Sequence, residues 1–206
     1  MARVTYQSRY DFFGTYITYD DLDPTLQHDL LTAQAFIPLD ITALREIATN
    51  AIQNLAAHGG IMASDSTPTL SRVNGATDRA LRIAWVASDS NEVAFPPIPW
   101  PPDLDPAQDV IVHLLVARNG TTNDCQIDVL AYENVAGAYA ADTEMGGKTA
   151  ALTTTNMTEV TVTLSASDIA GHPGVLNLSL LPDEHTTDAL YLYGAWIEYT
   201  RALRTS

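Results

Sequence analysis

The sequence has little of several things that would point to particular functions. Cys125 is its only cysteine, so no disulfide can form within the chain. Its alternation with Ile127 and Val129 predicts a small buried strand residue rather than a nucleophile. Basic residues are few, because 10 Lys and Arg stand against 25 Asp and Glu for a formal net charge of −15. A surface of that sign repels phosphate backbones and anionic lipid, so we expect no nucleic-acid or membrane binding.

Long hydrophobic runs are also missing. No stretch approaches the roughly 18 to 20 apolar residues of a membrane span, and the first residues lack the apolar run of a signal peptide. We therefore expect a chain that is made in the cytoplasm. With 46% hydrophobic and 17% charged residues, the chain has enough apolar side chains for a substantial core.

Motifs for catalysis and metal binding are absent as well. The five histidines show no metal-ligand spacing, and the sequence contains no nucleophile elbow, phosphate-binding loop or dinucleotide fingerprint. Carboxylate pairs such as Glu133 and Glu144 carry no specific signal in so acidic a chain. The pair Asp103 and Asp105 matches no EF-hand loop. The sequence thus predicts a protein that is not an enzyme and that uses no cofactor or metal.

Residues 1–38 are predicted to form an extended N-terminal arm. Their aromatic residues follow neither a helical nor a strand period, yet they are too numerous for a solvated tail. We expect the rings to be buried against the chain's own domain, a sister subunit or a larger partner. They are Tyr6, Tyr10, Phe12, Phe13, Tyr16 and Tyr19.

Residues 39–60 are predicted to form one α-helix. Asp40 can cap its first turn, and Gly59 and Gly60 end it. Its apolar residues recur at alternating spacings of three and four, as in a heptad seam, so the helix either packs on its own domain or self-associates. The seam consists of Ile41, Leu44, Ala48, Ala51 and Leu55. Residues 61–68 are predicted to be a linker.

Residues 69–206 are predicted to form a β domain. Apolar residues alternate in short runs, for example over 81–85, 160–164 and 176–180, and turn residues separate about eight such runs. Because no helix is predicted between them, we expect a mainly β protein built on an antiparallel β-sandwich of jelly-roll type. The Pro-rich segment 95–106 is expected to be a rigid crossover packed along the sandwich.

Two strands are apolar on both faces, which is unusual for an antiparallel sandwich. The first covers 110–116 and the second 189–200. Within the second we expect Trp196 to share a face with Leu190 and Leu192, and Gly194 to mark a bulge. Tyr191, Tyr193, Ile197 and Tyr199 are expected near the other face. We expect the arm, the helix or another subunit to cover the outer faces of these strands.

Several stretches of the β region resemble virion structural proteins of tailed phages. They are Ser71–Arg82, Phe95–Pro99 with Asp103 and Leu104, Asp142–Gly147, Asp168–Gly174 and Ala195–Tyr199. The resemblance covers about 69–201 and implies a head-associated protein whose jelly-roll domain sits as a trimer on the capsid lattice. It implies no catalytic residues.

On this basis we expect a capsid decoration (cement) protein on the virion surface. It would form a homotrimer and bind the major capsid protein, anchored by the six arm aromatics, with the helix seam as the self-association surface. The alternative is a receptor- or carbohydrate-binding module of a phage fibre or tail, since a fold does not settle function. In that case exposed aromatics among Trp100, Tyr132 and Tyr139 would form a platform for sugars.

Overall fold

A computed structural model describes residues 32–48, 51–52, 68–73, 80–122, 124–136 and 144–202 of the chain. Within these ranges the backbone forms thirteen strands and two short 3-10 turns, Ile41–Ala43 and Ala166–Asp168. The strands are β1 (Thr32–Leu39), β2 (Arg45–Ala48), β3 (Ala51–Ile52), β4 (Thr69–Arg72), β5 (Leu81–Trp85), β6 (Glu92–Ala94), β7 (Ile98–Pro99), β8 (Val110–Arg118), β9 (Gln126–Val135), β10 (Gly147–Lys148), β11 (Thr158–Leu164), β12 (Gly174–Asp183) and β13 (Leu190–Ala202).

The strands form two antiparallel sheets. The first contains six strands in the order β11-β8-β13-β5-β4, and β1 lies beside β5 along the same edge of β13. The second contains seven strands in the order β10-β9-β12-β6-β2-β3, and β7 also pairs with β12. The predicted antiparallel β-sandwich of jelly-roll type is therefore confirmed.

The core lies between the inner faces of the two sheets. Alternate residues of each strand point inward, which is the period-two pattern that the sequence shows. The six-stranded sheet contributes Ile83, Trp85, Val112, Leu114 and Ile197, among others, and the seven-stranded sheet contributes Val93, Ile127, Val129, Leu178 and Leu180. The Pro-rich segment packs along this core as predicted, because its apolar residues Phe95, Ile98 and Leu104 are buried.

A β-bulge in the long strand β13 changes which of its residues face the core. Leu192 pairs with Val116, but Gly194 pairs with Leu115, so Tyr193 is an extra residue on this strand. Before the bulge the even-numbered residues point inward, and after it the odd-numbered ones do. Trp196 consequently points outward, whereas Leu192 points into the core. The predicted bulge at Gly194 is confirmed. The faces predicted for Trp196, Ile197 and Tyr199 are wrong, since Ile197 and Tyr199 are buried in the core together with Leu192.

The predicted helix over 39–60 is wrong where the structure describes this segment. Asp40 does cap a turn, since its carboxylate accepts hydrogen bonds from the Thr42 hydroxyl at 2.6 Å and from Thr42 N at 2.8 Å. The hydroxyl bond first, and then the backbone bond, lower the pKa of Asp40. The turn, however, is the 3-10 turn Ile41–Ala43, and the chain then continues into β2 and β3. Backbone pairing of β2 with β6 replaces the hydrogen bonds of a helix, and the β-branched residues of the segment suit a strand.

The boundaries predicted for the arm and for the β domain also need correction. Thr32–Leu39, the last part of the predicted arm, is strand β1 and pairs with β13 along its whole length. The sandwich therefore begins well before residue 69. Residues 1–31 and most of the predicted linker lie outside the described residues. No described helix is long and apolar enough to cross a membrane.

Cys125 is buried, as predicted, and we expect its thiol to be unreactive in the native protein. Burial raises the pKa of Cys125, and the nearby charge of Asp188 raises it further, so the thiolate fraction at a given pH falls. At about pH 8, alkylation by iodoacetamide should be roughly a hundredfold slower than in guanidinium-unfolded protein. Mass spectrometry of quenched samples measures this rate, and equal rates in both states would contradict the burial.

Candidate functional site

The outer surface of the six-stranded sheet carries a group of aromatic residues, which we call the aromatic face. Tyr191 points outward before the bulge of β13, Tyr193 is the extra residue of the bulge, and Trp196 points outward after it. All three are partly exposed. The inward positions between them are filled by buried Leu192 and Ala195. The bulge thus places on one surface three rings that strict alternation would divide between two.

His113 of β8 is the centre of the aromatic face. It pairs with Trp196 across the strands, and the two rings stack with centroids 5.0 Å apart and planes 10° apart. Its Nδ1 lies 2.7 Å from Glu159 Oε1, and its Nε2 lies 3.2 Å from Glu198 Oε2. The imidazole therefore lies between two carboxylates and orients the indole next to it.

Arg82 of β5 completes the face on the other side of β13. Its guanidinium carbon lies 3.7 Å from the centroid of the Tyr191 ring, and Nη1 donates a hydrogen bond to the Tyr193 hydroxyl at 3.4 Å. Nε donates to the Ser71 hydroxyl at 3.3 Å. A cation stacked on a ring in this way holds both tyrosines in position.

A pocket of about 280 Å³ opens where the aromatic face meets β1 and the loop before β8. Glu198 belongs to both, because it lines the pocket and also lies beside His113. Gln34 of β1 faces Thr200 of β13 across the strand pair. The polar residues that line the pocket are Gln34, Gln108, Asp109, Glu198 and Thr200.

The outer surface of the seven-stranded sheet differs in chemistry. Tyr132 is partly exposed there, and its hydroxyl donates a hydrogen bond to Glu144 at 3.2 Å. Burial and the Glu144 carboxylate raise the pKa of Tyr132. Lys148 and Asp183 form an ion pair on the same surface. These contacts are local and surround no ring stack, so we take the aromatic face as the candidate site.

Trp100, one of the aromatics proposed for a sugar platform, is not available for binding, so that prediction is wrong. Its side chain is 2% exposed, and its Nε1 donates to Glu133 Oε1 at 2.7 Å. Of the other two residues, Tyr132 is the one described above, and Tyr139 lies outside the described residues. The sequence shows that Tyr191, Tyr193 and Trp196 are close together on one predicted strand. It does not predict that all three point to the same surface, because that depends on the bulge.

Glu133 has a structural role. Besides Trp100, its carboxylate accepts hydrogen bonds from Ala170 N at 2.7 Å and Gly171 N at 2.9 Å. It is 3% exposed, and Gly171 adopts a positive φ of 81° that suits glycine. The side chain therefore joins the Pro-rich crossover to the turn before β12.

The residues predicted for self-association are separated by the fold. Ile41 and Leu44 are buried in the sandwich core, Ala48 belongs to β2, and Ala51 belongs to β3. Leu55 lies outside the described residues, as do all six aromatic residues of the predicted capsid anchor. The prediction of a homotrimeric decoration protein bound to a major capsid protein on the virion therefore stays a prediction.

No group of His, Cys, Asp and Glu in the described ranges is arranged to hold a metal ion. Asp103, which was compared above with the calcium-binding EF-hand loop, forms an ion pair with Arg201 Nε at 2.5 Å.

No protein-family model matches the sequence, and no curated protein matches it. Solved structures similar in fold include a xylan-binding module, CBM15, at 14% identity and a TM-score of 0.47 over 81% of this chain and 97% of that one. The C-terminal CBM6 of LamC from Zobellia galactanivorans has 12% identity and a TM-score of 0.40 over 62% and 86%. TmCBM61, in complex with β-1,4-galactotriose, has 9% identity and a TM-score of 0.33 over 82% and 88%. At scores this low the likeness describes a sandwich architecture, and the function must be argued from the site.

Proposed function

We propose that this chain is a non-catalytic carbohydrate-binding module whose ligand lies along the aromatic face. The observation that carries the proposal is the combination of partly exposed rings on β13 with a polar pocket at the end of the same surface. Carbohydrate binding was the alternative function considered from the sequence. The residues proposed for it here are Tyr191, Tyr193 and Trp196 in place of Trp100, Tyr132 and Tyr139.

The chemistry of the face suits a sugar chain. A pyranose ring presents C–H groups on its faces and hydroxyls around its edge, so it needs apolar aromatic surface together with hydrogen-bond acceptors. Trp196 and the two tyrosines provide the aromatic surface. Glu198 and Glu159 provide carboxylate oxygens, which accept hydrogen bonds from hydroxyls.

The dimensions of the face suit several sugar units rather than one. Tyr191 and Thr200 lie nine positions apart on one strand, which at about 3.3 Å per residue spans roughly 30 Å. An extended oligosaccharide can lie along this length. Structures similar in fold include modules whose names state xylan binding or a galactotriose complex, and this agrees with the proposal without carrying it.

Binding without chemistry is proposed because the sequence carries no catalytic motif and the carboxylates of the face serve as hydrogen-bond acceptors. Glu159 Oε1 and Glu198 Oε2 lie against His113, which leaves each carboxylate a second oxygen to accept from a sugar hydroxyl.

The test is electrophoresis of the native protein through gels that contain neutral polysaccharides such as arabinoxylan, β-glucan or galactan. Wild-type protein should be retarded by at least one of them. Trp196→Ala should weaken binding by about tenfold or more, because it removes a ring from the centre of the face. Tyr132→Ala on the opposite sheet is the matched control and should bind as wild type does. Equal mobility of wild type in all gels, or full binding by Trp196→Ala, would overturn the proposal.

A second copy of the chain is an alternative occupant that one observation favours. Phe36 of β1 is 58% exposed beside the aromatic face, opposite Glu198, and Trp, Tyr and Arg are the residues that dominate protein interfaces. In this case light scattering at micromolar concentration should give the mass of an oligomer, and Phe36→Ser with Trp196→Ala should reduce it to one chain. A monomeric wild type would exclude this occupant.

A further inference from the structure

The described residues of the pocket at the end of the aromatic face contribute acidic and amide groups but no cation. Asp109 and Glu198 contribute carboxylates, and Gln34 and Gln108 contribute carboxamides. Asp109 Oδ1 accepts a hydrogen bond from Ala166 N at 2.8 Å, and Oδ2 has no hydrogen bond within the described residues. Among the residues that the structure describes, the lining contains neither lysine nor arginine.

These groups can form hydrogen bonds with hydroxyls, and the two carboxylates repel anions. Carboxylate oxygens accept hydrogen bonds from hydroxyls, and carboxamides both donate and accept them, so an uncharged sugar can satisfy all four side chains. A ligand carboxylate would instead lie close to two like charges with no cation in the lining, in a chain whose net charge is −15. Arg82 does not compensate, because it is held against Tyr191 on the far side of β13.

The size of the pocket limits what can enter it. A volume of about 280 Å³ lies at the lower end of ordinary ligand pockets, which suits a single sugar unit. Since Glu198 links the pocket to the stacked pair of His113 and Trp196, a chain lying on the face can place one unit in it.

We propose that this pocket is a subsite for one uncharged, hydroxyl-rich sugar unit, and that its carboxylates make the face reject uronic acids. The inference rests on the proposed function and adds the class of glycan that the face selects: neutral polysaccharides over polyuronates.

The experiment compares retention by arabinoxylan, β-glucan and galactan with retention by polygalacturonate, at low salt where charge repulsion is least screened. Wild type should bind a neutral polysaccharide and not polygalacturonate. The isosteric double variant Asp109→Asn with Glu198→Gln should shift the ratio of polygalacturonate binding to neutral-polysaccharide binding about tenfold toward polygalacturonate, because the carboxamides keep hydrogen-bonding groups and remove both charges. Glu144→Gln removes one exposed charge on the opposite sheet, away from the pocket and the aromatic face, so it is the matched control and should keep the wild-type preference.

The outcomes separate this inference from the proposed function. If Trp196 is needed for binding but wild type retains polygalacturonate as well as neutral chains, the function stands and the subsite inference is overturned. The same holds if the double variant shows no change in preference. If no polysaccharide is bound, or if binding does not depend on Trp196, the proposed function fails and the inference fails with it.

Discussion

Replacing Glu133 with alanine is expected to lower the free energy of unfolding by about 4 kcal/mol, because three donors lose their acceptor. Trp100 Nε1, Ala170 N and Gly171 N all donate to this carboxylate, and the residue is almost completely buried. Each buried donor left without a partner costs about 1–3 kcal/mol, and the missing side chain leaves a cavity as well. The expected result is a folded protein with a much lower denaturation midpoint.

Urea unfolding followed by tryptophan fluorescence measures this effect. Glu144→Ala is the matched control, since it removes an exposed carboxylate whose partner is the Tyr132 hydroxyl, and it should cost no more than about 1 kcal/mol. Glu133→Gln should fall between the two, because one amide oxygen can still accept while the amide nitrogen cannot. If Glu133→Ala proved as stable as the control, the carboxylate would not hold the crossover.

Replacing Leu44 with alanine is expected to cost about 3 kcal/mol of folding free energy without changing the state of association. Leu44 is 0% exposed and belongs to the core of the sandwich, so its truncation leaves a cavity between the sheets. In the helical seam predicted from the sequence, the same change would instead weaken contacts between subunits.

Melting curves at two protein concentrations distinguish these cases. For a core cavity the melting temperature falls by the same amount at both concentrations, whereas for a subunit seam the loss grows on dilution. Ile47→Ala is the control within the same segment, because Ile47 is only partly buried in β2, and it should be clearly milder. A variant whose stability depends on concentration would contradict the core position of Leu44.

Most strands from residue 69 onward, and the fold class, could be predicted from the sequence. In Val160–Leu164 and Leu176–Leu180 one side of the strand is apolar at every second position, and the structure buries those side chains. This works because a strand alternates its side chains with a period of two wherever one face meets a core. Asp40 as a cap, Gly194 as a bulge and Cys125 as a buried residue follow from equally local rules.

Features that depend on a partner strand could not be predicted from the sequence. The segment after Asp40 has a helical apolar spacing, but pairing with β6 supplies its backbone with hydrogen bonds as a strand. Trp100 was considered an exposed aromatic residue on the basis of the sequence. In the structure it is buried, and its indole N–H donates a hydrogen bond to the Glu133 carboxylate, 33 positions away. The aromatic face depends on a bulge whose exact position moves Trp196 to the other side of the sheet. A sequence pattern records which residues alternate, whereas registers and bulges are set by contacts between strands distant along the chain.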